Sequence, residues 1–176
     1  MRPPVIGMNQ DFSFFEQGID LIARQLPGMP QDRVVLNRLF FFVFSELDEV
    51  YNRHLAEFGL NSSSFLALAM LLSSEDNRLN PSHLSGALIA SPTNVTRLTD
   101  ELVNAGWVGR KPSTEDRRRV DLSLTKAGHK LILKVLPVIW KLIEQQWADF
   151  SPAEVAEFDR LLRKMLAGLS QFREPS

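Results

Sequence analysis

Two stretches of the chain begin in the same way, with a capping residue followed by proline. The dipeptides Asn-Pro and Ser-Pro occupy positions 80–81 and 91–92. A cap followed by proline in the first turn is typical of the start of an α-helix. The sequence therefore predicts a short helix that ends near Ile89 and a second that reaches Ala105 and stops at Gly106. Two short helices joined by a tight turn form a candidate helix-turn-helix motif.

A charged hairpin is predicted directly after these helices. The sequences WVGRK (107–111) and RVDLSL (119–124) are short strand patterns, and the polar segment between them carries its charges at the tip. In the second strand, Leu122 and Leu124 are predicted to face one side of the sheet and Ser123 the other. A helix-turn-helix followed by a charged hairpin is the outline of a winged helix domain.

Long helical patterns flank this predicted domain. The predicted helices cover residues 12–26, 31–58, a segment ending near 74, 125–150 with an interruption at Pro137, and a final helix that opens on SPAE at 151–154. The apolar surfaces of three of these segments exceed what one small winged lobe could cover: 34–58, 131–150 and 155–172. A second copy of the chain, related by two-fold symmetry, is the simplest partner that could bury these surfaces. The predicted fold class is mainly α with a small β wing, that is, a winged helix-turn-helix domain plus a helical dimerisation domain.

The predicted domain boundaries follow these elements. Residues 1–30 form an N-terminal extension with one helix, and residues 59–124 form the winged helix-turn-helix DNA-binding domain. Residues 31–58 and 125–176 form the helical dimerisation region. The role of the helix at 12–26 stays open between capping a dimer, covering a pocket and lying on the surface.

The second short helix has one apolar side and one polar side. Its apolar side consists of Val95, Leu98, Leu102 and Ala105, which are predicted to be buried. Its polar side presents Thr93, Asn94, Thr96, Arg97, Asp100 and Glu101. Hydroxyl, amide and guanidinium groups contact phosphates and base edges in a DNA major groove. Because DNA repels the two acids, contact is expected to concentrate on the first turn and a half.

The hairpin concentrates positive charge in a chain whose net charge is −1. Between positions 107 and 130 there are seven basic and three acidic residues, a local surplus of four. Arginine at a hairpin tip can enter a minor groove, where width and potential are recognised. Asp116 is predicted to hold Arg118 in an extended pose. The structural alternative is a solvated loop, which is the usual role of a charge run at a turn.

Several classes of function are excluded by what the sequence lacks. There is no cysteine, and His54, His83 and His129 lack metal-ligand spacing, so no metal and no cofactor is predicted. No phosphate-binding loop or catalytic triad motif is present, which argues against an enzyme. The apolar runs, including 39–44 and the eight residues at 65–72, are too short for a membrane span, and no signal peptide pattern is present, so a cytoplasmic protein without membrane contact is expected.

The hairpin region resembles the signature of the MarR (multiple antibiotic resistance regulator) family. The stretch LVNAGWVGRKPSTEDRRRVDLSLTKAG carries the family pattern at Leu102, Gly106, Trp107, Arg110, Asp116, Arg117, Arg118, Leu124, Thr125 and Gly128. The resemblance covers about residues 31–172, and within the family the chain is most similar to EmrR-type repressors of multidrug efflux operons. It implies a homodimer that binds pseudo-palindromic double-stranded DNA. Thr96 and Arg97 would then face the major groove, while Arg118 enters the minor groove. The full predicted DNA-binding set is Ser91, Thr93, Asn94, Thr96, Arg97, Arg110, Asp116, Arg117, Arg118 and Arg119.

The family resemblance also implies a small-molecule effector. A lipophilic, anionic aromatic compound such as a phenol would bind between the dimerisation helices and the winged lobe and release the DNA. The candidate pocket residues are Phe44, Tyr51, His54, Phe65 and Trp140. The alternative for each aromatic residue is ordinary core packing.

The predicted function is therefore a sequence-specific transcriptional regulator, most simply a ligand-responsive repressor. Two alternatives stay open from the sequence. One is an architectural or anti-silencing DNA-binding protein without an inducer, and the other is a protein-interaction module that has lost DNA binding.

Overall fold

The structure is a computed structural model that describes residues 12–88, 92–112 and 120–172. The chain divides into two compact units, Met1–Ser62 and Ser63–Ser176. Over the described residues, no helix has the length and apolar character required to span a membrane.

The first unit is a pair of packed helices. Helix α1 spans Ser13–Gln25 and α2 spans Gln31–Ala56, close to the predicted bounds. The two helices pack on each other, with the rings of Phe12 and Phe15 5.5 and 5.7 Å from that of Phe42. Gly59, at φ 73°, ends α2 in the left-handed conformation that glycine adopts without strain.

The second unit contains a helix-turn-helix, a three-stranded sheet and three further helices. Most of its elements fall close to their predicted positions. In chain order they are α3 (Ser62–Ser73, which starts at the last residue of the first unit), a 3-10 turn (Glu75–Asn77), β1 (Arg78–Leu79), α4 (Pro81–Leu88), α5 (Pro92–Asn104), β2 (Val108–Pro112), β3 (Val120–Leu124), α6 (Lys126–Gln146), α7 (Pro152–Leu169) and a 3-10 turn (Ser170–Phe172).

The sheet is antiparallel, with strand order β1-β3-β2. Its hairpin of β2 and β3 was predicted, whereas β1 was not. Leu122 on β3 lies opposite Arg110 on β2 and Leu79 on β1. The predicted alternation of β3 is only partly correct, because Ser123 is buried as well as Leu122. Ser123 lies opposite Gly109 and Arg78, so strands on both sides cover it.

The core of the second unit is formed by one side of each of its α-helices and strands except β1 and α7. Helix α4 packs on α5 and on β3, α5 packs on β2, and α6 packs on β3. The buried apolar residues of these elements are Ala67, Leu68, Leu71, Leu84, Val95, Leu98, Leu102, Val108, Leu122, Ile132, Val135 and Ile139. The predicted fold class, mainly α with a small β wing, is confirmed.

Helix α6 begins at a side-chain cap and continues through its proline. The Thr125 hydroxyl accepts a hydrogen bond from the Gly128 amide at 3.0 Å. The predicted interruption at Pro137 is wrong, because α6 is a single helix from Lys126 to Gln146. Burial of Ile132, Val135 and Ile139 on both sides of the proline offsets the amide hydrogen bond that proline cannot donate.

Helix α7 has the predicted capping box and a largely exposed apolar side, on which the ring of Phe158 contacts that of Trp147. Ser151 accepts from the Glu154 amide at 3.3 Å, and the Ser151 amide donates to the Glu154 carboxylate at 2.8 Å. None of the residues of α7, all of them described, is buried. The exposed apolar residues of α7 and the turn after it are Val155, Phe158, Leu161, Met165, Leu166, Leu169 and Phe172.

A Ser151→Ala variant is expected to lose about 1 kcal/mol of unfolding free energy, because the cap that satisfies the first turn of α7 is removed. Hydrogen bonds from the Ser151 hydroxyl and amide lower the pKa of Glu154. The contribution of Glu154 to the free energy of unfolding is therefore present above the pKa that this residue has in the unfolded chain. It is lost as the pH falls through the lower pKa of the folded state. Urea unfolding at neutral pH and near pH 3 should show a smaller difference between variant and wild type in acid. A difference independent of pH would contradict the role of the Glu154 carboxylate.

Candidate nucleic-acid interface

The two helices of the helix-turn-helix are held by a cap and an apolar seam. The Asn80 side chain accepts from the Ser82 amide at 3.0 Å, as the sequence predicted, whereas the predicted cap Ser91 lies outside the described residues. On α5, Val95, Leu98 and Leu102 are buried as predicted. This seam leaves the opposite side of α5 on the surface.

Two details of the buried side of α5 differ from the prediction. Ala105 is exposed, because the helix ends at Asn104 and the chain turns away at Gly106. Thr99 is buried instead, and its hydroxyl donates to the Val95 carbonyl at 2.7 Å. This internal bond satisfies the threonine and allows it to take a core position.

The polar side of α5 is exposed at each position that the sequence predicted. Six of its residues lie on the surface: Thr93, Asn94, Thr96, Arg97, Asp100 and Glu101. They recur at three- and four-residue spacing and so share one side of the helix. We refer to these six residues as the α5 polar face. It offers hydroxyl, amide and guanidinium groups near its N-terminal end and two carboxylates beyond them.

Two ion pairs connect the cations of this region to the carboxylates. The Arg97 guanidinium lies 2.7 Å from the Glu101 carboxylate within α5. The Arg110 guanidinium, on β2, pairs with the Asp100 carboxylate. Neither pair was predicted from the sequence, in which the two acids were expected only to be repelled by DNA. The four-residue spacing of Arg97 and Glu101 could have revealed the first of them.

The structure at the base of the hairpin explains why the MarR family signature contains Gly106, Thr125 and Gly128. Gly106 has φ 74° and ends α5, and the Trp107 amide then donates to the Leu102 carbonyl at 3.1 Å. The Thr125 amide donates to the Trp107 carbonyl at 3.0 Å, and the Thr125 hydroxyl donates to the Gly106 carbonyl at 2.7 Å. A side chain at Gly128 would clash with the main chain of Trp107, whose carbonyl carbon would lie 2.8 Å from the added Cβ.

The predicted wing residues divide into described and undescribed positions. Arg110 lies exposed on β2, and the last residue pair of the hairpin joins Pro112 to Val120. The predicted tip residues lie outside the described residues: Asp116, Arg117, Arg118 and Arg119. Strands β2 and β3 therefore flank the segment that contains these tip residues.

The predicted ligand-pocket residues are distributed over both units. Phe44, Tyr51 and His54 lie on α2, Phe65 lies on α3 and Trp140 lies on α6. Phe44 and Trp140 are 65% and 57% exposed. Tyr51 is half-buried, and this burial raises its pKa. A His54 ring nitrogen lies 2.9 Å from the Val50 carbonyl oxygen.

A cavity that the sequence did not predict lies within the first unit. It has a volume of about 700 Å³ and is lined by α1 and α2. Its lining residues are mostly apolar and include none of the five predicted pocket residues: Phe14, Phe15, Gln17, Gly18, Ile19, Leu21, Ile22, Val34, Asn37, Arg38 and Phe41. Over the described part of the chain, no cluster of three or more His, Asp or Glu residues could hold a metal ion.

Comparison with known proteins places this arrangement in a family. The model of the MarR family matches residues 60–120. The chain is 36% identical over 167 residues to the transcriptional repressor MprA of Escherichia coli, covering 95% of each chain. The crystal structure of AbsC, a MarR family transcriptional regulator from Streptomyces coelicolor, has a TM-score of 0.72 and 25% identity, covering 83% of this chain and 97% of AbsC.

A further solved structure contains DNA. The crystal structure of a mutant of MarR from Escherichia coli, complexed with operator DNA, has a TM-score of 0.70 and 27% identity, covering 78% of this chain and 98% of that one. The named relatives include a transcriptional repressor and a transcriptional regulator, in agreement with the prediction that the chain is not an enzyme. The chain belongs to the MarR family of DNA-binding transcriptional regulators.

Proposed function

We propose that the chain is a homodimeric repressor that binds a pseudo-palindromic operator and is released from it by a small lipophilic aromatic ligand. The observation that carries this proposal is the α5 polar face, exposed beside the hairpin of a winged helix domain. The operator-bound structure of Escherichia coli MarR, which is similar to this chain, supports it.

In this proposal α5 and the wing contact different parts of the DNA. Thr93, Asn94, Thr96 and Arg97 face the major groove, with Ser91 at the start of α5 beside a phosphate. Arg110 contacts the backbone from the base of the wing. The tip residues Arg117, Arg118 and Arg119 approach the minor groove, and Asp116 steadies Arg118.

The homodimer rests on apolar surface that the isolated chain leaves exposed. Helix α7 has no buried residue, and α2 exposes Leu36, Phe40, Phe41, Val43 and Phe44. Exposed apolar area of this extent marks an interaction surface. We assign residues 31–58 and 125–176 to dimerisation, 59–124 to DNA binding and 1–30 to an N-terminal extension. Two-fold symmetry then sets the half-sites about 10 bp apart, or a multiple of that distance.

Ligand release is the finer part of the proposal. A phenolic or similarly lipophilic aromatic effector would contact Phe44, Tyr51, His54, Phe65 and Trp140. On α2, the half-buried hydroxyl of Tyr51 and the exposed ring of Phe44 offer polar and apolar contacts of the required kind. Ligand binding would change the separation of the two winged lobes, so that both no longer reach successive major grooves.

Fluorescence anisotropy with a duplex from upstream of the protein's own coding sequence tests the proposal. We expect tight, salt-sensitive binding that exceeds binding to a scrambled duplex. An Arg118→Ala variant should lose about 1–3 kcal/mol of binding free energy, or roughly 5- to 150-fold in Kd. Arg160→Ala, which removes an arginine from α7, is the matched control and should bind like wild type. Equal, weak binding to both duplexes by the wild type would favour an architectural DNA-binding protein instead.

A further inference from the structure

The α5 polar face has an unexpected feature for a DNA-binding surface. The arginine within it and the arginine beside it on β2 both have carboxylate partners. Arg97 pairs with Glu101, and Arg110 pairs with Asp100. These arginines are also the described cations assigned above to DNA contacts. A phosphate group and a carboxylate offer a guanidinium the same kind of hydrogen bond. DNA and the two acids therefore compete for the same donors.

We infer that Asp100 and Glu101 act as intramolecular competitors of the DNA backbone and lower the affinity of the chain for any duplex. This inference rests on the proposed DNA-binding function. It assigns a role to two residues that a simple inventory of DNA contacts would count only as unfavourable.

The exposure of the pairs makes the exchange possible. The side chains of Arg97 and Glu101 are 71% and 50% exposed, and those of Arg110 and Asp100 are 44% and 51% exposed. Water can solvate each carboxylate when its arginine leaves, so the pairs are weak and reversible. A buried pair would instead hold the arginine permanently, because opening it would leave a charge without solvent.

The adjacency of the two acids also affects the DNA-bound state. When Arg97 and Arg110 turn to phosphates, the carboxylates of Asp100 and Glu101 remain on the α5 polar face close to a polyanion. Their repulsion offsets part of the attraction, and they retain cations that the complex would otherwise release. Both affinity and its dependence on salt should therefore be smaller than the number of arginines suggests.

Anisotropy titration of a random-sequence 30-bp duplex across a series of salt concentrations tests this inference. Glu101→Gln and Asp100→Asn should each bind about threefold to tenfold more tightly at low salt, with a salt slope steeper by about 0.9 for each freed phosphate contact. Glu49→Gln is the matched control, since it removes a carboxylate paired with Arg53 at 3.0 Å at the same four-residue spacing on α2. The Kd of Glu49→Gln for the duplex should lie within about twofold of the wild-type value. The carboxylate that it removes lies outside the α5 polar face, and salt screens its effect on the DNA.

A double-mutant cycle separates release of Arg97 from a general change in charge. In an Arg97→Ala background, Glu101→Gln should increase affinity less than in wild type, because no guanidinium is freed. Weaker binding by Glu101→Gln would overturn the inference, since the pair would then position Arg97 for DNA. Equal gains in both backgrounds would also overturn it. If the wild-type protein binds no duplex, the proposed function itself fails, whereas wild-type binding without a gain in the variants removes only this inference.

Discussion

A Gly128→Ala variant is expected to lose about 3 kcal/mol of unfolding free energy, at the upper end of the cost of overpacking a tight site. An added Cβ would lie 2.8 Å from the carbonyl carbon of Trp107 and 3.1 Å from its Cα. The obstacle is main chain, which cannot rotate away as a side chain would. Relief therefore requires α6 to move from the hairpin and to strain the hydrogen bonds of Thr125 to Trp107 and Gly106.

Urea unfolding monitored by circular dichroism measures this loss. Gly86→Ala is the control in the same unit, because a Cβ there meets no heavy atom of the described residues within 4 Å. Alanine should stabilise that helical position by about 0.5–1 kcal/mol. A Gly128→Ala protein as stable as wild type would show that α6 and the hairpin are not packed as closely as described.

The second large effect is expected on assembly. A Met165→Asp variant should be monomeric at concentrations where the wild type forms the proposed dimer. Met165 lies at the centre of the apolar side of α7 and is 46% exposed in the single chain. A two-fold interface contains it twice, so an unpaired carboxylate costs about 2 kcal/mol or more per protomer and raises the dimer Kd roughly a thousandfold. DNA affinity should fall with it, because one lobe contacts only one half-site.

Sedimentation velocity and anisotropy measure the two consequences of this substitution. Ala156→Asp is the matched control, because nine residues at 3.6 per turn place it on the opposite side of α7. The dimer dissociation constant of Ala156→Asp should equal that of the wild type. If Met165→Asp stays dimeric and binds DNA normally, the apolar side of α7 is not the dimer interface and the assignment of residues 125–176 is wrong.

The elements that the sequence predicted well have local physical causes. The caps at Asn80 and Ser151 and the stop at Gly106 involve residues a few positions apart, so their signals are contained in short stretches of sequence. Apolar periodicity likewise indicated both the buried seam of α5 and the stripe of α7. Apolar periodicity does not indicate which part of the molecule covers an apolar side, and in the single chain the apolar residues of α7 are exposed.

The features that the sequence did not predict depend on distant partners. Strand β1 has two residues, and only its pairing with β3, more than 40 positions away, makes it a strand. The burial of Ser123 follows from strands on both of its sides. Thr99 is a local exception, because its hydroxyl donates to the Val95 carbonyl four positions away and is thereby satisfied in the core. The cavity between α1 and α2 was not predicted because aromatic residues have the same spacing in a core and around a cavity.

The hydrogen bonds around Trp107 also limit how the proposed effector could act on this protein. They join the end of α5, the first residues of the hairpin and the start of α6 at one point. The end of α5 and the described base of the hairpin are consequently held to the first turn of α6. An effector that displaces α6 would carry both DNA-contacting elements along the same path. Induction would then tilt a whole lobe away from its half-site without changing the angle between helix and wing.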